Sequence, residues 1–142
     1  MTRATNHRTL IVEWGDCDPA GIVFYPRYFA MFDTSTARLI EGAAGMRKAD
    51  LIRTHGIVGW PMVKTEATFI APATFGDEIA IVSTVTRVGR SSFEITHRML
   101  RQDMMCIEAF EIRVWAAPDP HKPGAIIGVP IPPALADALQ GG

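Results

Sequence analysis

Apolar and polar residues alternate with a period of two over Arg8–Trp14, where Leu10, Val12 and Trp14 interleave with Thr9, Ile11 and Glu13, and this predicts a first strand. The period changes at Pro26. Phe29, Phe32, Leu39 and Ile40 fall at helical spacing, and no further proline or any glycine intervenes before Gly42, so a helix is predicted from Pro26 to about Ala44. Pro26 suits its first turn, because the N–H that proline lacks would have no intrahelical partner there. Tyr28, Met31 and Ala37 broaden the apolar stripe and predict a helix covered on more than one side. A short second helix is expected over Met46–His55, ending near Gly56. The period then returns to two over Met62–Ala71, Glu78–Val88, Ser92–Arg101 and Met104–Ala117, which read as four strands. The last three are joined by Val88-Gly89-Arg90-Ser91 and Arg101-Gln102-Asp103, short enough for hairpin turns, so they should form an antiparallel meander. Each strand has one apolar face, such as Phe93, Ile95 and Met99, or Phe110, Ile112, Val114 and Ala116. Pro118–Gly124 reads as a loop and Pro133–Gln140 as a closing helix.

Strand, loop, long helix and four antiparallel strands make an α+β arrangement in which a sheet curls around one central helix. The 142 residues form a single expected domain, 1–142, and a hydrophobic fraction of 48% is enough to fill its core. With 14 Lys and Arg against 15 Asp and Glu, the chain has no basic stripe that would draw it to nucleic acid. Cys17 and Cys106 lack the spacing of a metal site and are expected to be reduced thiols of a cytoplasmic protein; no metal and no cofactor are expected. The N-terminal MTRATNHRTL lacks a signal-peptide core and no later apolar run is long enough to span a membrane, so no membrane association is expected.

Candidate chemistry concentrates between the first strand and the long helix. Asp16 and Asp18 lie in a loop with Gly15, Pro19 and Gly21 that runs directly into the helix start. A carboxylate beside a helix N-terminus is useful for acyl chemistry, since it can attack or take a proton while unpaired backbone N–H groups stabilise charge on the acyl oxygen. Asp18 is the leading candidate, with Asp16 in a supporting role. The N–H groups of Phe24 and Tyr25 are the candidate donors, and Gly21 lets a ligand approach the backbone closely. The four histidines are scattered singly, and His97, on the Phe93, Ile95, Met99 face, reads as a buried histidine with satisfied partners. Arg87, Arg90, Ser91 and Ser92 form a basic, hydroxyl-rich hairpin tip suited to a phosphate contact, and Trp60, Met62, Phe24, Phe32 and Met31 are core residues of which one or two would line an acyl pocket.

The stretch GDCDPAGIVFYPRYF resembles the signature of the 4-hydroxybenzoyl-CoA thioesterase family of the hotdog-fold superfamily, in the branch whose catalytic Asp precedes the central helix. The resemblance runs from about Arg8 to Val129 and includes HGIVGWP, GRSSFE and EIRVWA. It implies a hotdog fold, with a five-stranded antiparallel sheet wrapped around one long helix. It also implies a homo-oligomer, dimer or tetramer, with active sites at the subunit interface and acyl-CoA as substrate. Asp18 would be the catalytic carboxylate and Tyr25 the source of the backbone N–H that polarises the thioester carbonyl. Gly21 would flank the substrate, and Arg90 and Ser91 would contact the CoA nucleotide with help from a neighbouring subunit. Trp60 stands where the hydroxybenzoyl enzymes carry a small or hydroxylated residue, which points to a different acyl group. The expected activity is hydrolysis of an aryl- or short- to medium-chain acyl-CoA to the free acid and CoA. A hydratase or dehydratase of acyl thioesters and a non-catalytic acyl-CoA-binding protein are the alternatives; the first needs a His paired with an acid near the helix, the second would tolerate loss of Asp18.

Overall fold

The computed structural model describes residues 3–142. Strand β1 (Thr5–Ile11) is followed by a single 3-10 turn at Trp14–Asp16 and then by helix α1 (Tyr25–Ala44) and helix α2 (Lys48–His55). Strands β2 (Met62–Phe69), β3 (Glu78–Val88), β4 (Ser92–Arg101) and β5 (Met104–Val114) come next, then the short β6 (Ala116–Pro118) and β7 (Ile126–Gly128), and helix α3 (Pro133–Gln140) closes the chain. The five long strands form one sheet in the order β1-β3-β4-β5-β2, antiparallel at every joint, with β1 and β2 at the edges. This is the expected α+β hotdog arrangement.

Three departures from the sequence reading have local causes. The first strand stops at Ile11 because the Asp16 carboxylate accepts the Glu13 N–H at 2.9 Å and curls the chain into the 3-10 turn, which leaves Trp14 exposed instead of inward. The predicted strand Met104–Ala117 is split at Trp115, whose N–H donates to the Ser91 carbonyl at 2.7 Å; beyond it β6 pairs with β7, so the expected loop after Pro118 is the turn of a small ribbon. The inner face of β5 is also the opposite of the predicted one. Ala109, Glu111, Arg113 and Trp115 point into the core, and Phe110, Ile112 and Val114 lie half-buried on the outer face. Pairing explains this inversion. His97 on β4 sits opposite Ala109, and Glu111 and Arg113 lie opposite Ile95 and Phe93, so the charged residues share the inner face with β4's apolar ones.

Helix α1 buries a single stripe, Tyr28, Met31, Phe32, Ser35, Thr36, Leu39 and Ile40, in place of the broader coverage expected. The core it helps to form has two apolar parts. One, around Val23, Tyr28, Phe32, Ile79 and Met99, supports the start of α1. The other, around Leu39, Ile40, Leu51, Trp60, Trp115 and Leu139, fills the far end.

Between the two lies a buried polar layer. His97 Nδ1 is 2.6 Å from Ser83 Oγ, and His97 Nε2 is 3.2 Å from Thr36 Oγ1 and 3.3 Å from Glu111 Oε1. Thr36 Oγ1 also donates to Glu111. Arg113 Nε lies 3.1 Å from Glu111 Oε1, and Arg113 Nη2 reaches Asp33 Oδ1 on α1 at 2.8 Å. Burial alone would raise the Glu111 carboxyl, but hydrogen bonds and charge from His97 and Arg113 outweigh it and hold Glu111 below the usual carboxylate range. No helix among the described residues is long and apolar enough to cross a membrane.

Candidate active site

The loop between β1 and α1 is a tight hairpin. Gly21 N–H donates to the Asp18 carbonyl at 2.9 Å, closing a turn over Pro19 and Ala20, and Asp18 N–H returns to the Ile22 carbonyl at 3.0 Å. Phe24 N–H then donates to the Asp16 carbonyl at 2.8 Å. Gly21 has φ +82°, which only glycine adopts without steric cost. Two residues of extended chain therefore separate the Asp18–Ile22 pair from the Asp16–Phe24 pair, about 7 Å, and Tyr25 follows immediately as the first residue of α1.

This hairpin sorts the backbone donors. Phe24 N–H, one of the two candidates, is consumed by Asp16. Tyr25 N–H opens the helix, so it has no intrahelical acceptor, and among the described residues no other acceptor receives it. Tyr25 therefore presents one free N–H at the positive end of a 20-residue helix.

The two acids divide in the same way. Asp16 is committed to capping the 3-10 turn. Asp18 Oδ1 accepts Ala20 N–H at 2.8 Å, which fixes the side chain, while Oδ2 has no partner and no ion pair among the described residues. A carboxylate held through one oxygen and free at the other can attack a carbonyl carbon or deprotonate a water.

Beside the hairpin lies an apolar cavity of about 340 Å³ lined by Ile22, Val23, Tyr25, Tyr28, Phe69, Ile70, Ala71 and Pro72. The segment after β2 forms its far wall, and Val23 N–H donates to the Ala73 carbonyl at 2.9 Å, so wall and hairpin are one unit. Tyr28, one turn along α1, is the polar member that sequence reasoning missed. It entered the hydrophobic stripe as bulk, although a tyrosine at that spacing carries a hydroxyl that requires a partner when buried.

The remaining predicted site residues lie elsewhere in the chain. Trp60 is buried in the second apolar cluster, stacked on Trp115 with ring centroids 5.9 Å apart and covered by the Lys48 ammonium. Arg90 and Ser91 sit in the β3–β4 hairpin, at the end of the sheet away from Asp18, separated from it by the length of β3, roughly 35 Å. One chain thus joins Asp18, Gly21 and Tyr25 but not Trp60, Arg90 or Ser91. The His97–Glu111 pair faces the helix, yet His97 is fully buried with Phe32 stacked on it at 4.8 Å, so no substrate reaches it. Among the described residues, no group of three or more His, Cys, Asp or Glu is arranged to hold a metal ion.

Comparison with known proteins gives a consistent result. Residues 12–139 match the model of the Thioesterase-like superfamily. A 4-hydroxybenzoyl-CoA thioesterase of Pseudomonas sp. (strain CBS-3) is 32% identical over 120 residues, covering 81% of this chain and 85% of that protein. The crystal structure of an aspartate-to-asparagine mutant of 4-hydroxybenzoyl-CoA thioesterase, complexed with 4-hydroxybenzoyl-CoA, superposes with a TM-score of 0.86 at 26% identity, covering 96% of this chain and 99% of that one. A gentisyl-coenzyme A thioesterase superposes with a TM-score of 0.81 at 29% identity, covering 94% and 99%.

Proposed function

The chain belongs to the thioesterase-like superfamily, and from that premise we propose that it hydrolyses an aryl-CoA thioester to the carboxylic acid and free CoA. The observation that carries the reading is the free Tyr25 N–H at the start of α1, presented by the same hairpin that leaves one oxygen of Asp18 unengaged beside an apolar cavity. The thioester carbonyl oxygen accepts the Tyr25 N–H and takes on negative charge stabilised by the helix dipole. Asp18 then adds to the carbonyl carbon, or removes a proton from a water that does so, and the CoA thiolate departs with the C–S bonding pair; in the first route a water then cleaves the mixed anhydride, releasing the acid and restoring the Asp18 carboxylate. Thiolate is a good leaving group, so this route needs no general acid. The aryl preference rests on the relatives, which act on hydroxybenzoyl and gentisyl thioesters, and on the aromatic side chains that line the cavity.

The working unit in this reading is a homo-oligomer. Arg90 and Ser91 are too far from Tyr25 of their own chain to meet the same CoA, so they hold the nucleotide of a substrate bound at a neighbouring subunit. Trp60 contributes by shaping the segment that enters edge strand β2.

The test is CoA release from benzoyl-, 4-hydroxybenzoyl-, acetyl- and hexanoyl-CoA by wild type and Asp18→Asn. Wild type should turn over the aroyl esters fastest, and Asp18→Asn should lose at least about a hundredfold in kcat. Near wild-type turnover in the variant would remove Asp18 from the mechanism.

A further inference from the structure

We propose that Tyr28 is a specificity-determining residue of this site, its phenolic O–H donating a hydrogen bond to an oxygen or nitrogen acceptor carried by the acyl group. This rests on the thioesterase reading above and deepens it by naming a chemical requirement of the substrate.

The hydroxyl is both pinned and unfinished. Tyr28 is buried at 3% exposure, and its oxygen accepts the N–H of the fully buried Ala73 at 3.1 Å. That bond fixes where the oxygen sits, because Ala73 in turn accepts Val23 N–H and is tied to the catalytic hairpin. A phenol also has one proton to donate, and among the described residues nothing accepts it. A buried donor without a partner is costly, which makes such a group informative where it lines a cavity.

The ring lines the apolar cavity together with Tyr25, three residues earlier on α1, whose N–H is the carbonyl-polarising donor. Residues three apart on a helix lie on the same face, so the Tyr28 ring stands over the same cavity onto which the Tyr25 N–H opens. The remaining lining, Ile22, Val23, Phe69, Ile70, Ala71 and Pro72, offers no side-chain polar atom. Burial raises the Tyr28 hydroxyl above the usual phenol range, so it remains a protonated donor at neutral pH. An acyl group with an acceptor at the right place satisfies this donor; a purely hydrocarbon one leaves it unpaired.

The experiment compares each of the 2-, 3- and 4-methoxybenzoyl-CoA esters, which accept but do not donate, with its near-isosteric ethylbenzoyl counterpart, in wild type and in Tyr28→Phe. Wild type should favour at least one methoxy isomer over its ethyl twin by about tenfold or more in kcat/KM, and Tyr28→Phe should bring that ratio close to one. Because each ratio is internal, a lower folded fraction in the variant leaves it unchanged. A wild type without such a preference, or a variant that retains it, overturns the proposal. An equal loss for both members of every pair would make Tyr28 a structural support for Ala73 and nothing more. If wild type releases no CoA from any ester, the hydrolase reading fails separately, and calorimetric affinities of the same pairs for both proteins decide the hydrogen bond by the same ratios.

Discussion

At Gly21 a single methyl group is expected to matter although there is room for it. A Cβ built there meets nothing within 4 Å, so the cost of Gly21→Ala is conformational, from φ +82°, and should amount to about 1 kcal/mol in chemical unfolding. Gly21→Asn should recover part of this, since asparagine tolerates the left-handed region better. Both variants should lose more in kcat than in KM, because the turn they strain is the one that sets Asp18 against Tyr25. Much of this site was legible in the sequence. Pro26 marked the helix start, Gly21 the turn, and their order made Asp18 the candidate acid. What could not be read was the fate of Phe24 N–H, which depends on its pairing with the Asp16 carbonyl across the hairpin and not on residue type.

At the scale of elements, β5 is where pattern and structure part. Alternation alone assigns Phe110, Ile112 and Val114 to the core, because an isolated Glu or Arg is too costly to bury. The pair Glu111 and Arg113 is not isolated: Thr36, His97, Asp33 and the Trp60 carbonyl supply the missing partners from three other segments. Removing one member should therefore be severe. Glu111→Gln or Arg113→Met is expected to cost about 3–5 kcal/mol in urea unfolding, and less when both are replaced together by apolar residues. The pH dependence has a definite sign. Glu111 titrates lower when folded than when unfolded, so its stabilising contribution is complete above the unfolded value of 4.5 and is lost as the pH falls through the lower folded one. Acid titration of unfolding stability should show a shallower decline in Glu111→Gln than in wild type.

For the whole molecule, the proposed homo-oligomer turns on strand β2. It is an edge strand with Met62, Val63 and Phe69 exposed, and Ile70, Phe24 and Tyr25 continue that apolar surface to the site. Unprotected edges of this kind invite strand pairing. Val63→Lys should shift the protein toward monomer in sedimentation velocity and lower kcat/KM in parallel; an active wild-type monomer would refute the interfacial site. The cavity wall at residues 69–72 and the distance of Arg90 from Asp18 were beyond sequence reasoning, because both follow from which strand ends share a side of the sheet.

The polar layer across the core has a further consequence, in the mechanics of the helix. Apolar side chains tolerate sliding, since one hydrophobic contact can replace another at little cost. Thr36 and Asp33 cannot slide: a shift of α1 by one residue along its axis would strand Glu111 and Arg113 without partners. The layer thus acts as a detent on axial translation and rotation. It sets the position of the Tyr25 N–H from about three turns away.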